Sequence, residues 1–465
     1  MTVLDRLSTR AWALLLVLSG AIFLEGVDIS MMGVALPAMR ADLGLTTGEL
    51  QWVVSAYVLG YGGFVLLGGR AADLLGRRRV FLGMLAGFVV FSGLGGLATE
   101  GWMIVAARFV TGVAAAFTAP AGLSIITTTY ARGPARDRAV LVYAGAAAGG
   151  FSLGMVVGGL LTALHWRWVF FAPVVLAVVI LAGAVALVPT DHATVGRRKG
   201  RFDLAGTLLL TVGMSLLILT VVHAPEVPAA VSAATGVGAV LAVSGFVAVE
   251  RYRGSTPQGV SPRVPQPLLR LGILRVPSLR RAALGAMALV GSFMAFQFTA
   301  VLFLQEQQGW SAIETGLLLA IGGLDAILAP TLAPPLVRRF GNGRVLVVGL
   351  VVAVLGYVAF VPLNGEVGLM VVGLLALSVA FALAYGPLTL VGTDGAEESE
   401  QGLASGLMTM SFQFGGAIGL AIATAAVLVS QLRAGMAVAV VLAVVGLAVT
   451  LPLAWTTRAR TAAAR

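Results

Sequence analysis

The sequence contains no cysteine, a single lysine (Lys199) and only three histidines in 465 residues. Without cysteine it can form no disulfide and no thiolate metal site. The histidines His165, His192 and His223 lie far apart in the chain and form no ligand set, so we expect no metal and no other cofactor. Charged residues are also scarce, at 11%, whereas an ordinary soluble chain has about 25%. These absences exclude a soluble globular domain.

Hydrophobic residues make up 59% of the chain. Apolar runs of about 20 residues, each long enough to cross the hydrocarbon layer as a helix, recur from end to end. No convincing strand and no phosphate-binding loop interrupts them, so coupling to ATP hydrolysis within this chain is implausible. We therefore expect an all-α integral membrane protein and not an enzyme.

Breaks at Pro, Gly and charge clusters divide the chain into fourteen predicted transmembrane helices. With the N-terminus in the cytoplasm, all but four basic residues fall in cytoplasmic segments, as topology requires. Arg40, Arg167 and Arg433 lie on the other side, and Arg108 lies within a span. We expect a bacterial inner-membrane protein with both termini cytoplasmic. Its net charge of +10 reflects topology and contact with anionic lipid and requires no nucleic-acid partner.

Two inner loops are weakly similar to each other. GGRAADLLGRRRVFLG begins at Gly68 and PPLVRRFGNGRVLVVG begins at Pro334, and this offset aligns Gly76 with Gly341. Both loops follow an even-numbered span, as two homologous six-helix bundles require. We predict one bundle over 1–188, an inserted two-helix hairpin with a cytoplasmic connector over 189–280, and a second bundle over 281–465.

Four stretches carry recognisable motifs. They are Asp28 to Pro37 in span one, Gln51 to Tyr57 in span two, Gly69 to Arg78 in the following loop, and Arg108 to Gly112 in span four. Together they resemble the major facilitator superfamily, and within it the fourteen-spanner drug:proton antiporters. Gly33 departs from that pattern, because it stands where Asn is usual.

The loop motif comprises Gly69, Asp73, Gly76, Arg77 and Arg78. By resemblance it is a conformational latch, whose ion pairs break and re-form as the two bundles rock. A simpler interpretation is that Asp73 opens the third span and is stabilised there by the helix dipole.

Span five contains a glycine motif, which we expect to allow close approach of a neighbouring helix. Its residues are Gly150, Gly154, Gly158 and Gly159. Met155 occupies the position at which the antiporter motif has Pro, a second departure from the family pattern.

Two acids, Glu25 and Asp28, lie on one face of the first span. A carboxylate at the bilayer centre costs about 2.5 to 3.5 kcal/mol on insertion scales, so two in one span indicate a function. Proton coupling is one interpretation; a static ion pair between Asp28 and Arg108, and contact of Glu25 with a cationic substrate, are others. Asp325, near mid-depth of span ten, is a candidate for protonation or cation contact, or a buried acid bonded to a neighbouring helix. Arg108 is expected to organise this charge network.

A substrate cavity is expected between the bundles. Its candidate lining residues are Met32, Tyr57, Tyr61, Phe293, Gln297 and Gln413. Large apolar surfaces with few polar groups suit lipophilic molecules, although any one of these residues alone more often serves packing than a pocket. Glu306 is expected at a solvated edge of the membrane.

We therefore expect a monomeric transporter that exports lipophilic, cationic drugs or antibiotics in exchange for protons by alternating access. Its partners would be a small molecule, protons and membrane lipid. Alternatives are a dedicated exporter of one endogenous metabolite, a proton-coupled symporter, and a non-transporting membrane sensor.

Overall fold

The computed structural model describes residues 8–130, 134–190, 204–223, 227–254, 271–363, 365–393 and 401–455. These residues form α-helices and short 3₁₀ or π turns, with no strand among them. The α-helices are α1 (Thr9–Leu43), α2 (Thr47–Leu75), α3 (Arg77–Gly96), α4 (Gly101–Thr129), α5 (Pro134–Leu164), α6 (Trp168–Leu187), α7 (Leu204–His223), α8 (Ala229–Gly254), α9 (Pro277–Leu302), α10 (Ala312–Ala320), α11 (Asp325–Phe340), α12 (Asn342–Val358), α13 (Val367–Thr393), α14 (Gln401–Ser430) and α15 (Leu432–Thr450).

Within the described ranges, eleven helical segments are long and apolar enough to cross a membrane. Two shorter apolar helices, Ala205–Val221 and Asn342–Val358, add to them. The fold is thus of the all-helical membrane type.

The helices pack in two similar patterns. In the first, α1 crosses α5 and α2 crosses α4, while α3 lies against α4 and α6. In the second, α9 crosses α14 and α11 lies on α13, while α12 lies against α13 and α15. The two sets meet where α2 packs along α14 and α5 packs along α10. Helices α7 and α8 form a pair that contacts α2 and α14 through α7.

The two loops that are similar in sequence adopt the same backbone turn. Gly76 joins α2 to α3 with φ 98° and ψ 133°, and Gly341 joins α11 to α12 with φ 84° and ψ 155°. Both conformations lie in the region that only glycine adopts without strain. The turn geometry agrees with the sequence alignment at this position.

A break between α10 and α11 interrupts what the sequence suggested was one continuous span. Ile321–Leu324 forms a 3₁₀ turn, and Asp325 is the first residue of α11. Side chains of neighbouring helices bind two carbonyls of this turn. Ser152 of α5 donates to Gly323 at 2.9 Å, and Ser378 of α13 donates to Ile321 at 2.7 Å. A broken helix at this depth is tolerated because other protein groups satisfy its backbone.

Candidate functional site

The site is centred on a buried ion pair between α1 and α4. Arg108 Nη1 lies 2.6 Å from Asp28 Oδ2, and the side chains are 2% and 0% exposed. Arg108 also donates through Nε to the Val53 carbonyl of α2 at 3.4 Å. Asp28 lies near the middle of α1, which places the pair deep within the bundle.

The ion pair is incompletely satisfied. Asp28 Oδ1 and the Tyr57 hydroxyl have no hydrogen-bond partner among the described residues, although both are buried. The Arg108 guanidinium stacks over the Tyr57 ring, 4.4 Å from its centroid. A buried pair stabilises a fold only when its remaining polar atoms are also satisfied, and here two of them are not.

Glu25 lies one helical turn from Asp28 and has different partners. Tyr61 of α2 lies beside its carboxyl group. The Tyr57 and Tyr61 rings stack, with centroids 6.3 Å apart and an interplanar angle of 8°. Of the two acids of α1, Asp28 is the one paired with Arg108.

Asp325, the acid at the helix break, is partly buried. On α13, Tyr385 stacks on Phe412 of α14, with centroids 4.3 Å apart. Tyr385 is 48% exposed.

A second region between the helix sets is nearly closed. A cavity of 20 Å³ lies between α1, α2, α9 and α14, beside Gly33 and Gln297. It has room for about one water molecule. A Cβ on Gly33 would lie 3.2 Å from the Gln297 amide nitrogen. Gln297 thus occupies the space that the usual Asn side chain would need, which accounts for this departure from the family motif.

The other candidate cavity residues lie in packed surroundings. Met32 is fully buried. Phe293 contacts Phe151 of α5 and Phe381 of α13, with centroids 5.9 and 5.1 Å apart. Gln413 faces Gly62 of α2, at which a Cβ would lie 3.0 Å from the Gln413 Cβ. These residues form contacts between the helix sets, and a role in substrate binding stays a prediction.

The glycine motif of α5 makes two close interfaces. A Cβ on Gly150 would lie 3.0 Å from Phe23 Cα, one on Gly154 would lie 2.7 Å from Val27 Cα, and one on Gly158 would lie 2.7 Å from Met31 Cα. These three glycines therefore face the backbone of α1.

Gly159 faces α10 instead, where a Cβ would lie 2.6 Å from the Ala312 carbonyl oxygen. Next to it, a Cβ on Gly316 would lie 2.5 Å from the Met155 carbonyl. Helix α5 is continuous through Met155. The motif thus fixes α1 and α10 on either side of one helix.

The structure describes the side chains of only some residues of the loop motif. Asp73 belongs to the last turn of α2, which continues to Leu75, so the interpretation that it opens the third span is wrong. Its side chain lies outside the described part of the structure. Arg78 donates to the Val185 carbonyl at 2.7 Å and to that of Val188, at the end of α6.

Of the remaining residues of the motif, Gly69 lies within α2. A Cβ on Gly69 would lie 4.0 Å from Pro120 Cβ, an ordinary contact. Arg77 begins α3 directly after the Gly76 turn. The latch role of the motif stays a prediction.

A second ion pair joins the two helix sets at the end where α1 terminates. Arg40 Nη1 lies 2.8 and 2.9 Å from the two carboxylate oxygens of Glu306. Nearby, Gln305 donates to the Val34 carbonyl at 3.1 Å. Glu306 was expected only to be solvated, and its partner was missed because 266 positions separate the two residues.

Among the described residues, no group of three or more His, Asp or Glu side chains could hold a metal ion.

A family model described as Major Facilitator Superfamily matches residues 18–420. The chain belongs to the Major Facilitator Superfamily. It is a member of a transporter family and is not an enzyme. The chain is 35% identical to the cephamycin export protein CmcT of Amycolatopsis lactamdurans, over 90% of this chain and 85% of the relative. It is 32% identical to the lincomycin resistance protein of Streptomyces lincolnensis, over 89% and 84% of the two chains.

A solved structure, that of the POT family transporter PepTSo, matches with a TM-score of 0.69 and 16% identity. The match covers 95% of this chain and 98% of PepTSo. At this identity the likeness concerns the fold alone.

Two features of the site had no signal in the sequence. Tyr385 lies in an apolar run like many other aromatic residues, and only the fold places it against Phe412. The hydroxyl of Tyr143 of α5 donates to the Ala119 carbonyl of α4 at 2.9 Å.

Proposed function

We propose that this chain exports a lipophilic, cationic antibiotic or drug in exchange for protons. The observation that carries the proposal is the buried Asp28–Arg108 pair, which leaves one carboxylate oxygen and the Tyr57 hydroxyl unpartnered. Protonation of Asp28 would release Arg108, and loss of the proton would re-form the pair. The names of the relatives, which export cephamycin or confer lincomycin resistance, support an antibiotic-like substrate.

In this proposal the chain has fourteen spans, with both termini cytoplasmic, in a bacterial inner membrane. Residues 1–188 and 281–465 are the two bundles, and α7 and α8 are the inserted hairpin. The matching turns at Gly76 and Gly341 support this division. The protein acts as a monomer, and its bundles rock to expose the site alternately to each side.

Transport by the purified protein tests the proposal. Liposomes containing only this protein, acidic inside and enclosing DNA, should take up ethidium when a pH gradient is imposed. Ethidium carries a permanent charge. It therefore cannot accumulate as a weak base does, by crossing the membrane in a neutral form and being protonated inside the acidic vesicle. Nigericin, which collapses the pH gradient, should abolish the uptake. Uptake that is the same with and without the gradient would contradict proton coupling.

The Arg40–Glu306 pair would hold the external side closed. Its side chains are 30% and 34% exposed, so solvent screening limits the pair to about 0–1 kcal/mol. Such a contact can open repeatedly. We expect Glu306→Gln to raise the externally open population by about two- to five-fold, because 1 kcal/mol corresponds to about five-fold in an equilibrium.

Spin labels at Ala41→Cys and Gln307→Cys can measure this shift, since the chain has no native cysteine. Asp42→Asn is the matched control. Asp42 forms a 2.8 Å pair with Arg167 at the same end of the bundle, but within one bundle of the proposal. Equal distance distributions for Glu306→Gln and the unmodified protein would contradict the proposal that the Arg40–Glu306 pair holds the external side closed.

A further inference from the structure

The tenth predicted span is divided between the two helix sets. Its first part, α10, packs along α5 and also contacts α1, and both of these helices belong to the first helix set. Its second part, α11, packs mainly along α13 of the second helix set. The 3₁₀ turn Ile321–Leu324 lies between the two parts. The break in this span therefore lies where its packing changes from one set to the other.

Helix α10 approaches α5 closely enough for backbone contact. A Cβ on Gly159 would lie 2.6 Å from the Ala312 carbonyl oxygen, and one on Gly316 would lie 2.5 Å from the Met155 carbonyl oxygen. Glycine at both positions removes the side chains that would hold the two helices apart. Separating α10 from α5 would therefore lose a closely packed interface.

The turn between α10 and α11 is bound from both sides. Ser152 of α5 donates to the Gly323 carbonyl at 2.9 Å, and Ser378 of α13 donates to the Ile321 carbonyl at 2.7 Å. One hydroxyl from each helix set thus holds the same turn. A short 3₁₀ stretch inside a longer helix often marks a hinge.

Both ends of α10 are joined to the rest of the second helix set through glycine. At the turn, a Cβ on Gly322 would meet only Leu374, at 3.9 Å. In the loop that precedes α10, Gly309 has φ 72°, and a Cβ there would meet nothing within 4 Å. Glycine adopts a wider range of backbone angles than other residues. The backbone can therefore change direction at each end of α10 without a steric clash.

We propose that the turn Ile321–Leu324 is a hinge, at which α10 stays on α5 and α11 stays on α13 when the two helix sets part on the external side. Bending at the turn changes a few hydrogen bonds, whereas removing α10 from α5 would lose all of their packing contacts. This inference rests on the alternating access of the proposed function. It differs from rocking of two rigid bundles, because one helix of the second bundle moves with the first.

Spin-label distances in the full-length protein in nanodiscs test the hinge. Leu164→Cys with Glu314→Cys measures the distance from α5 to α10, and Glu314→Cys with Val372→Cys measures the distance from α10 to α13. These three side chains are exposed, and the chain has no native cysteine. The pair Ala41→Cys and Gln307→Cys reports external opening in parallel.

Glu306→Gln is used to favour external opening, and each distance is compared with that in the protein that retains Glu306. We expect the α5–α10 distance to stay nearly constant and the α10–α13 distance to lengthen by about 4 Å. Position 314 is seven residues from the turn, about 10 Å at the helical rise, so a bend of about 20° displaces it by this amount.

A substitution in the turn gives a second measurement. Gly322→Ala restricts the backbone of the turn without a clash, because its Cβ would make only an ordinary contact. Alanine favours helix over other backbone conformations by about five-fold relative to glycine, so we expect ethidium transport to be about five-fold slower. Gly386→Ala on α13 is the matched control, since a Cβ there meets nothing within 4 Å. Its transport should be nearly unchanged.

The outcomes separate the hinge from the export function. A longer α5–α10 distance with a constant α10–α13 distance would overturn the hinge and leave rigid rocking and export intact. Constant values of all three distances, or equal transport rates for Gly322→Ala and Gly386→Ala, would also overturn it, and ethidium uptake then decides the export proposal separately. If the distances change as expected but uptake does not respond to a pH gradient, proton-driven export fails while the hinge stands.

Discussion

Asp28→Asn is expected to abolish uphill transport of ethidium, reducing pH-driven accumulation in liposomes to the level of vesicles without protein. Asparagine is nearly the same size as aspartate but cannot take up and release a proton between pH 5 and 8. Exchange of labelled for unlabelled ethidium, which needs no proton, should persist. The measurements are accumulation under a pH gradient and exchange at equal pH on the same preparation.

The rival interpretation, a static ion pair, also predicts a loss in Asp28→Asn. Removing one partner of a buried pair leaves an unpaired charge at a cost of about 3–5 kcal/mol. The double variant Asp28→Asn/Arg108→Gln separates the two interpretations, because it leaves no unpaired charge. Restored uphill transport in the double variant would make the pair structural and refute proton carriage by Asp28.

Two further controls complete this test. Asp42→Asn, at the exposed end of the same helix, should transport normally. Asp28→Glu retains a group that can be protonated, so it should recover part of the uphill transport if the proton is carried here. Recovery in Asp28→Glu together with none in the double variant is the expected pattern.

Much of this arrangement could be predicted because charged residues are rare in the apolar runs. Arg108 is the basic residue within a predicted span, so a pair between it and Asp28 was one of the interpretations that the sequence left open. The structure contains that pair, although its role in coupling stays a prediction. The glycine motif could be recognised for a similar reason, since spacing of four residues places Gly150, Gly154 and Gly158 on one helical face.

Other features depend on which helices become neighbours, and local sequence carries little information about that. The pair Arg40–Glu306 joins residues 266 positions apart. The break before Asp325 is similar: IGGL has the apolar composition of a continuous span, and the 3₁₀ turn depends on Ser152 and Ser378 from other helices. Asp73 was predicted to open the third span, but it lies in α2. The prediction was wrong because it ended the second span a few residues too early.

Packing of α1 against α5 positions the acids, and this dependence leads to the second large effect. Gly154→Val should destabilise the protein and abolish transport. A Cβ at this position would meet Ser30 Oγ and would lie 2.7 Å from Val27 Cα. Backbone atoms cannot rotate away as a flexible side chain can, so α1 must separate from α5. Overpacking costs about 1–3 kcal/mol even where side chains can adjust.

Because Asp28 follows Val27 directly, the same displacement would move the carboxylate away from Arg108. Gly145→Val is the matched control, since a Cβ on Gly145 of the same helix meets nothing within 4 Å. Thermal unfolding of the detergent-purified variants and ethidium uptake in liposomes provide the two measurements. We expect a lower melting temperature and no uptake for Gly154→Val, and near-normal values for Gly145→Val. If the two variants behave alike, close approach of α1 to α5 does not hold the acids in position.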